Sequence, residues 1–407
     1  MTTFKRIKLG DLVTWAKGCN IPRDDTSANK NIPYLHYGDL YKKYGYCLNL
    51  PEVINDIIKI DSLNSVKEPQ MLHDGDIVFT LTSETVDDLG HCTLVINPDD
   101  VPFVSGMETT VLHLKESSKA MPTYLNYIFQ DERFRKIMRQ YVTGMKVYRV
   151  HPKDLMRIEI DLPPLDVQAK IVGILDSFSD SIINLGKIND NLSALLMAEF
   201  GRIFESADDV VPLSEIANYA TLKVSSGEQS LETYYSTENI LPGKQGSMLA
   251  SGIPEESKVT ACRKGDVLVS NIRPYFKKIL YCDEDCTCST DVLCFHPKAT
   301  EYSTLVYAAL FEDQFFDYVM SGAKGTKMPR GDKAQIMEYG IPAVDPETLI
   351  TFNKTSSAIL NAIYKNRCGN KALTQLRDYL LPKLMSGEID VSSSELPTKY
   401  SFSSTDE

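Results

Sequence analysis

Residues Ile160–Ile203 constrain the fold of this chain more than any other stretch. After the pair Pro163-Pro164 the segment runs about forty residues with no further proline. Ile171, Phe178, Leu185 and Leu192 fall seven apart, and Ile174, Ile188 and Leu195 form a second row three residues behind. A seven-residue repeat keeps one stripe of a helix on one partner, so the spacing predicts a coiled-coil seam. Pro164 can open the helix, because the N–H it lacks would be unsatisfied there. At 1.5 Å per residue the rod is roughly 60 Å long, too long for an ordinary core helix. It needs a second helix.

That partner lies at the other end of the chain. Ile341-Pro342-Ala343-Val344-Asp345 echoes Leu162-Pro163-Pro164-Leu165-Asp166, and a second long segment follows. Phe352, Ile359, Leu373 and Leu380 share one heptad row, and Leu349, Ile363 and Leu384 another. Gly369 interrupts the pattern and is expected to be a weak point, because glycine is a poor helix former.

The duplication extends beyond the helices, as a search for internal repeats shows. Ile7-Lys8-Leu9-Gly10-Asp11-Leu12 matches Val211-Pro212-Leu213-Ser214-Glu215-Ile216, and Asp74-Gly75-Asp76-Ile77-Val78-Phe79 matches Lys264-Gly265-Asp266-Val267-Leu268-Val269. Phe129–Phe134 then matches Phe311–Phe316, and Thr143-Gly144-Met145-Lys146 matches Ser321-Gly322-Ala323-Lys324. The order is the same in both halves. Each half therefore reads as one globular domain followed by one long helix. The expected fold class is mixed α+β: two homologous globular domains separated by two long coiled-coil helices in a pseudo-twofold repeat. The expected boundaries are residues 1–162, 163–207, 208–341 and 342–391, with a disordered polar tail over 392–407.

Composition narrows the class. The 43% hydrophobic content is enough for proper cores. The start MTTFKRIKLGDL has no apolar signal-like region, and no run of eighteen apolar residues occurs, so neither a signal peptide nor a membrane span is expected. Nine cysteines without framework spacing fit reduced thiols in a cytoplasmic protein. A net charge of −12 argues against free-standing nonspecific nucleic-acid binding but leaves a local basic face open.

Within the first domain Asp76–Leu81, Cys92–Ile96 and Thr109–Leu114 read as strands and Tyr124–Tyr141 as a helix. From Arg133 to Arg157 the chain holds eight basic residues against the single acid Asp154. A solvated helix face explains a charge run alone, but here it continues into Thr143-Gly144-Met145-Lys146-Val147-Tyr148-Arg149. Glycine lets backbone approach a ligand, and Lys, Tyr and Arg contact phosphates or base edges. The second domain repeats the theme, with strands at Val267–Ile272 and Thr290–Phe295 and a helix at Thr304–Met320. Its basic loop carries Lys324, Lys327 and Arg330, and a second basic patch places Arg273, Lys277 and Lys278 around Tyr275. The candidate residues for DNA or RNA contact are Lys146, Tyr148, Arg149, Arg273, Lys324, Lys327 and Arg330. The candidate seam residues are Ile171, Phe178, Leu185, Leu192, Phe352, Ile359, Leu373 and Leu380.

Over residues 4–391 the chain resembles the specificity subunit of type I restriction–modification systems. The resemblance is carried by Leu162–Val172, by Leu376–Val391, by the two Gly-Asp-Ile/Val turns and by the Gly-x-Lys loops. The second copy departs from the pattern by lacking the glutamine that the first has at Gln168. The resemblance implies that each globular domain is a target-recognition domain reading one half of a split double-stranded DNA site. It implies that the two long coiled-coil helices pack antiparallel, fix the half-site spacing and bind two adenine-N6 methyltransferase subunits, with restriction/translocase subunits completing the complex. S-adenosylmethionine, ATP and Mg would then belong to partner subunits, with no cofactor in this chain.

Catalytic features are weak. Asn31-Ile32-Pro33-Tyr34 and Asn271-Ile272-Arg273-Pro274-Tyr275 resemble an adenine-methyltransferase Asn-Pro-Pro-Tyr site but lack its proline pair, and no glycine-rich cofactor loop follows a strand. Cys282, Cys286, Cys288 and Cys294 lack the usual zinc-ligand spacing. The six histidines are scattered, and no phosphate-binding GxxxxGK[ST] stretch occurs. The expectation is a reader, not an enzyme. The competing readings are a fused DNA adenine methyltransferase–specificity protein and an interaction protein that does not read DNA.

Overall fold

The chain enters on β1 (Lys5–Lys8), makes one helical turn through residues 9–12 and continues as β2 (Val13–Lys17). β3 (Cys47–Asn49), β4 (Ile77–Thr80), the two-residue β5 (Thr82–Ser83), β6 (Cys92–Ile96) and β7 (Thr109–Leu114) follow. Helices α1 (Pro122–Gln130) and α2 (Glu132–Arg139) lead to β8 (Tyr148–Arg149), β9 (Glu159–Leu162) and the long α3 (Leu165–Ser206). This is a computed structural model, and it describes residues 4–255 and 258–393. The chain divides into two compact units, Met1–Ser181 with Ala372–Glu407, and Ile182–Lys371.

The first unit's main sheet has the order β2-β7-β4-β6-β3, and β1 pairs with β9 to close the domain ahead of α3. All four side chains of β4 are buried, Ile77, Val78 and Phe79 with the polar Thr80, as suits a strand in the middle of a covered sheet. Phe79 of β4 meets Phe129 of α1 edge to face, with ring centroids 5.0 Å apart. The start of α3 is tied to this core by polar groups. Gln168 is fully buried; its Oε1 accepts from the Met121 amide at 2.8 Å, and its Nε2 donates to the Lys119 and Pro163 carbonyls at 2.9 and 2.8 Å. The hydroxyls of Tyr46 and Tyr127 donate to Asp176 at 3.0 and 2.8 Å, and burial pushes the Tyr127 phenol up.

The second unit runs β10 (Val210–Pro212), β11 (Ala217–Tyr219), β12 (Val267–Ser270), β13 (Ile279–Tyr281) and β14 (Val292–Pro297). It continues through α4 (Ser303–Phe311), α5 (Asp313–Ser321), β15 (Gly340–Pro342) and α6 (Pro346–Met385). Its main sheet, β11-β14-β12-β13, repeats the order β2-β7-β4-β6, and β10–β15 repeats the closing pair β1–β9. A second four-stranded sheet uses residues 223–225, 258–262, 286–288 and 234–235. The class is α+β with a duplicated framework and paired long helices.

Two helices expected to be continuous are broken. Tyr124–Tyr141 is α1 and α2, parted at Asp131, whose extended backbone and side chain accepting from the Arg133 amide at 2.8 Å cap the second helix. Thr304–Met320 breaks likewise at Glu312, with φ −60° and ψ 145°. The expected strand ends also contract, to Ser270 in β12, while β14 runs on to Pro297.

The helix seam needs one correction. Ile171, Phe352 and Ile359 are buried, and Phe178, Leu185, Leu192, Leu373 and Leu380 are half-buried. In the second expected row, however, Ile188 and Leu195 are 47% and 48% exposed. Leu175 and Leu196 are buried, and Ile182 and Asn189 half-buried, so the second row lies four residues behind the first. Steps of three and of four both flank a heptad row on a helix. The apolar residues on the +3 side suggest the wrong row because polar Asn189 interrupts the true one. In the second unit Phe200 faces Phe352 (centroids 6.4 Å apart), Asn189 accepts from Asn366 at 2.8 Å, and Leu185 lies against Gly369. Numbers rise along one helix as they fall along the other, so the pair is antiparallel there. In the first unit Ile171, Val172 and Leu175 share a core with Leu381, Leu384 and Met385.

The α6 helix passes through Gly369 unbroken. Ser392 and Ser393 form a turn, and the rest of the expected tail, residues 394–407, lies outside the described residues. No helix among the described residues is long and apolar enough to cross a membrane.

Candidate nucleic-acid interface

Each unit mounts one small basic hairpin beside its central strand. In the first unit the Thr143 amide donates to the Arg149 carbonyl at 2.9 Å and the Arg149 amide returns to Thr143 at 2.8 Å. β8 then pairs with β5, Arg149 opposite Thr82, which hangs the hairpin just beyond β4. Gly144 sits at φ +107°, where a Cβ would lie 2.1 Å from the Val147 carbonyl oxygen, so only glycine fits. In the second unit Lys324 and Arg330 exchange the same two bonds, each at 2.9 Å, and Gly325 sits at φ +101°. Ile272 bridges Arg330, and the Arg273 amide donates to the Pro329 carbonyl at 2.8 Å.

This corrects the register of the repeat. Thr143–Arg149 corresponds to Lys324–Arg330, not to a loop starting at Ser321. Lys146 therefore answers to Lys327 and Arg149 to Arg330. The Gly-x-Lys spacing occurs twice in the second copy, at Gly322 and Gly325, and only the positive backbone angle at Gly325 distinguishes them.

Lys146, Arg149 and Lys327 are exposed and have no ion-pair partner among the described residues. Lys324 and Arg330 are exposed but paired, with Asp332 at 2.7 Å and Asp291 at 3.0 Å. Exposed pairs of this kind contribute little and exchange readily for phosphate. Tyr148 is half-buried. Arg273 is half-buried in a left-handed backbone conformation, and its Nε is buried with no partner.

The wider basic run is partly neutralised. Arg133 bonds Asp131, Arg139 bonds Glu132 and approaches Asp87 at 3.6 Å, and Arg157 bonds Asp154. A charge count between Arg133 and Arg157 misses Asp131 and Glu132, just outside that window, and Asp87, which folding brings near. The patch around Tyr275 also changes character: Lys277 pairs with Asp313 at 2.9 Å, and Lys278 donates to the Thr237 carbonyl.

At the opposite end of each central strand from the hairpin lies a repeated His–Asp pair that the scattered histidines of the sequence do not announce. Asp76 Oδ1 meets His113 Nδ1 at 2.8 Å, and Asp266 Oδ1 meets His296 Nδ1 at 2.6 Å. The other oxygen of each carboxylate accepts a turn amide at 2.8 Å, from His73 and Arg263. Burial disfavours the His113 imidazolium, but the Asp76 hydrogen bond and charge, with the Pro69 carbonyl, outweigh it and raise the pKa. Aligning Leu112-His113-Leu114 with Phe295-His296-Pro297 would have revealed the pair.

The remaining candidates are structural in their contacts. Tyr34 of Asn31–Tyr34 is buried; its hydroxyl donates to the Cys19 carbonyl at 3.3 Å and accepts from the Met107 amide at 3.1 Å. Cys282, Cys286, Cys288 and Cys294 are buried thiols, and burial pushes Cys282 up to about 12. Among the described residues no group of three or more His, Cys, Asp or Glu could hold a metal ion. A cleft between the second unit's two sheets is lined by Arg263, Asp266, Asp285, Thr287 and His296, of which Asp266 is already committed to His296.

Residues 1–194 match the family described as type I restriction modification DNA specificity domain. These residues span the first unit's globular region and most of α3. No curated protein matches the chain. Among solved structures, the S subunit of a type I restriction-modification system from M. genitalium aligns over 94% of this chain and 96% of its own, at 16% identity and a TM-score of 0.57. That is a likeness of fold. The HsdS subunit from Thermoanaerobacter tengcongensis aligns over 95% and 97% at 15% identity and a TM-score of 0.34. The specificity-domain match ends within α3. The second unit repeats the first unit's sheet order, closing strands, His–Asp pair and basic hairpin.

Proposed function

We propose that this chain is the sequence-specific DNA-recognition subunit of a type I restriction–modification complex. Residues 1–162 and 208–341 each read one half of a bipartite double-stranded site. Helices within 163–207 and 342–391 set the half-site separation and dock two adenine-N6 methyltransferase subunits, to which the restriction subunits add. The chain itself is not an enzyme; S-adenosylmethionine, ATP and Mg act in its partners.

The observation that carries this reading is the basic hairpin built twice, each time at the end of the equivalent central strand. A duplicated contact element suits a split site, as in dimeric readers. Exposed Ile188, Leu195 and Ile350 on the helices, the last 59% exposed, support docking of a partner there. The burial of Tyr34 in a core weighs against the fused-methyltransferase reading.

The test is DNA binding of the full chain across a salt series. Removing a single lysine–phosphate contact should lower the slope of log affinity against log salt by about 0.9. K146A and K327A are expected to do so, and K354A on α6 is not. Unchanged slopes for both hairpin variants would remove the hairpins from the interface.

A further inference from the structure

The second unit carries an element the first lacks. After β12 the chain passes through Arg273-Pro274-Tyr275-Phe276-Lys277, with Arg273 and Lys277 both at φ +51°. Left-handed backbone is unfavourable for side chains with a Cβ, and it persists only where neighbours hold it, often beside ligands. The holding contacts are present. The Arg273 amide is bound by the Pro329 carbonyl, the Phe276 and Lys277 amides close the turn at 3.0 and 2.8 Å, and Lys277 is pinned to Asp313.

Between the two strained residues stand Tyr275 and Phe276, side by side with ring centroids 4.7 Å apart. They are 49% and 39% exposed. The Arg273–Pro329 bond places this turn against the basic hairpin, with exposed Lys327 two residues away from Pro329 and Arg330 one residue away. The acids nearby are occupied: Asp313 by Lys244 and Lys277, Asp291 by Arg330 and Asp332 by Lys324. In the first unit the stretch after β4 is Leu81-Thr82-Ser83-Glu84-Thr85-Val86-Asp87-Asp88. It is polar and acidic, and Ser83 donates to Asp88 within it at 3.2 Å.

We infer that Tyr275 and Phe276 are the base-stacking element of the second reader, pressed against base faces of duplex DNA while Lys327 and Arg330 hold the flanking phosphates. This rests on the DNA-reading function proposed above and adds to it an asymmetry between the half-sites. A rigid aromatic pair held on a strained turn can wedge into a base step at little ordering cost, and flexible pyrimidine–purine steps open most easily. The first half-site, facing a polar loop, is read without a wedge.

The test uses the complex purified through a tag on this chain and a pool of random-sequence duplexes. The wild type first selects its bipartite motif, and duplexes carrying that motif or a scrambled second half are then compared. Y275A/F276A should lose on the order of tenfold or more of the preference for the intact second half, as removal of base–aromatic stacking entails, with an unchanged salt slope. Y275F/F276Y keeps both rings and should keep the preference, which separates a stacking defect from a folding defect. Wild-type preference in Y275A/F276A overturns the inference while leaving DNA reading intact, and equal loss in both double variants also overturns it. A wild-type complex that selects no motif overturns the underlying reading and this inference with it.

Discussion

Gln168 anchors the first long helix to its globular region, and removing it should be costly. The side chain is fully buried and makes three hydrogen bonds, to the Met121 amide and to the Lys119 and Pro163 carbonyls. Q168A leaves the Met121 amide and the Pro163 and Lys119 carbonyls without those partners, the Pro163 carbonyl buried and the other two groups part-buried. Orphaned buried groups cost roughly 1–3 kcal/mol each, and carbonyls reached by water less, so the low end of the range gives about 3 kcal/mol in total. Trp15, the single tryptophan, lies on β2 in the same unit and reports its unfolding by fluorescence. With a urea slope of about 1–3 kcal/mol/M, the midpoint of that transition should fall by about 1–3 M. The equivalent helix in the second unit starts differently. Asp345 caps it, accepting from the Glu347 and Thr348 amides at 3.0 and 3.1 Å in an exposed position. D345A should leave the Trp15 transition in place. A Q168A midpoint within error of the wild type, or no lower than that of D345A, would refute the anchoring argument.

The His113–Asp76 pair gives a pH-dependent prediction. A raised folded pKa means that the stabilisation is complete below the unfolded value of about 6.5 and is lost as pH rises through the folded value. H113Q should therefore be destabilised more at pH 5.5 than at pH 8.5 in Trp15-detected urea unfolding, and a deficit that grows with pH would contradict this. Gly369 gives a gain. A Cβ there would meet only Leu185 Cδ1, at an ordinary 3.6 Å, so G369A should stabilise the helix pair by about 1 kcal/mol through helix propensity. Thermal unfolding followed by circular dichroism checks it, and a lowered transition would mean that the glycine serves close packing.

The fold was legible because the heptad rows and the repeat reinforce each other. Ile171, Phe352 and Ile359 mark the buried seam, and the Gly-Asp turns at Gly75 and Gly265 sit at the start of equivalent strands with backbone angles of +84° and +92°. The failures have physical causes. Ile188 and Leu195 are apolar but face outward, and hydrophobic pattern alone does not say which flank of a heptad row meets a partner. The breaks at Asp131 and Glu312 are backbone events inside otherwise helical spacing. Two Gly-x-Lys tripeptides three residues apart could not be ordered without the positive φ at Gly325. The state of Arg133, Arg139, Lys277 and Lys278 depends on acids brought close by folding. Tyr275 stood out as the centre of a basic patch and the end of an Asn-Pro-Pro-Tyr-like stretch, but not as a stacking residue, because its exposure and its strained flanks are properties of the folded turn.

The central claim is that two unlike readers on one chain direct adenine methylation to one split site. The most direct test is a single-molecule map of N6-methyladenine in the source genome with and without this gene. The account predicts that deletion abolishes methylation at one bipartite, asymmetric motif, and that restoring the gene restores it. An identical map in both strains would contradict it.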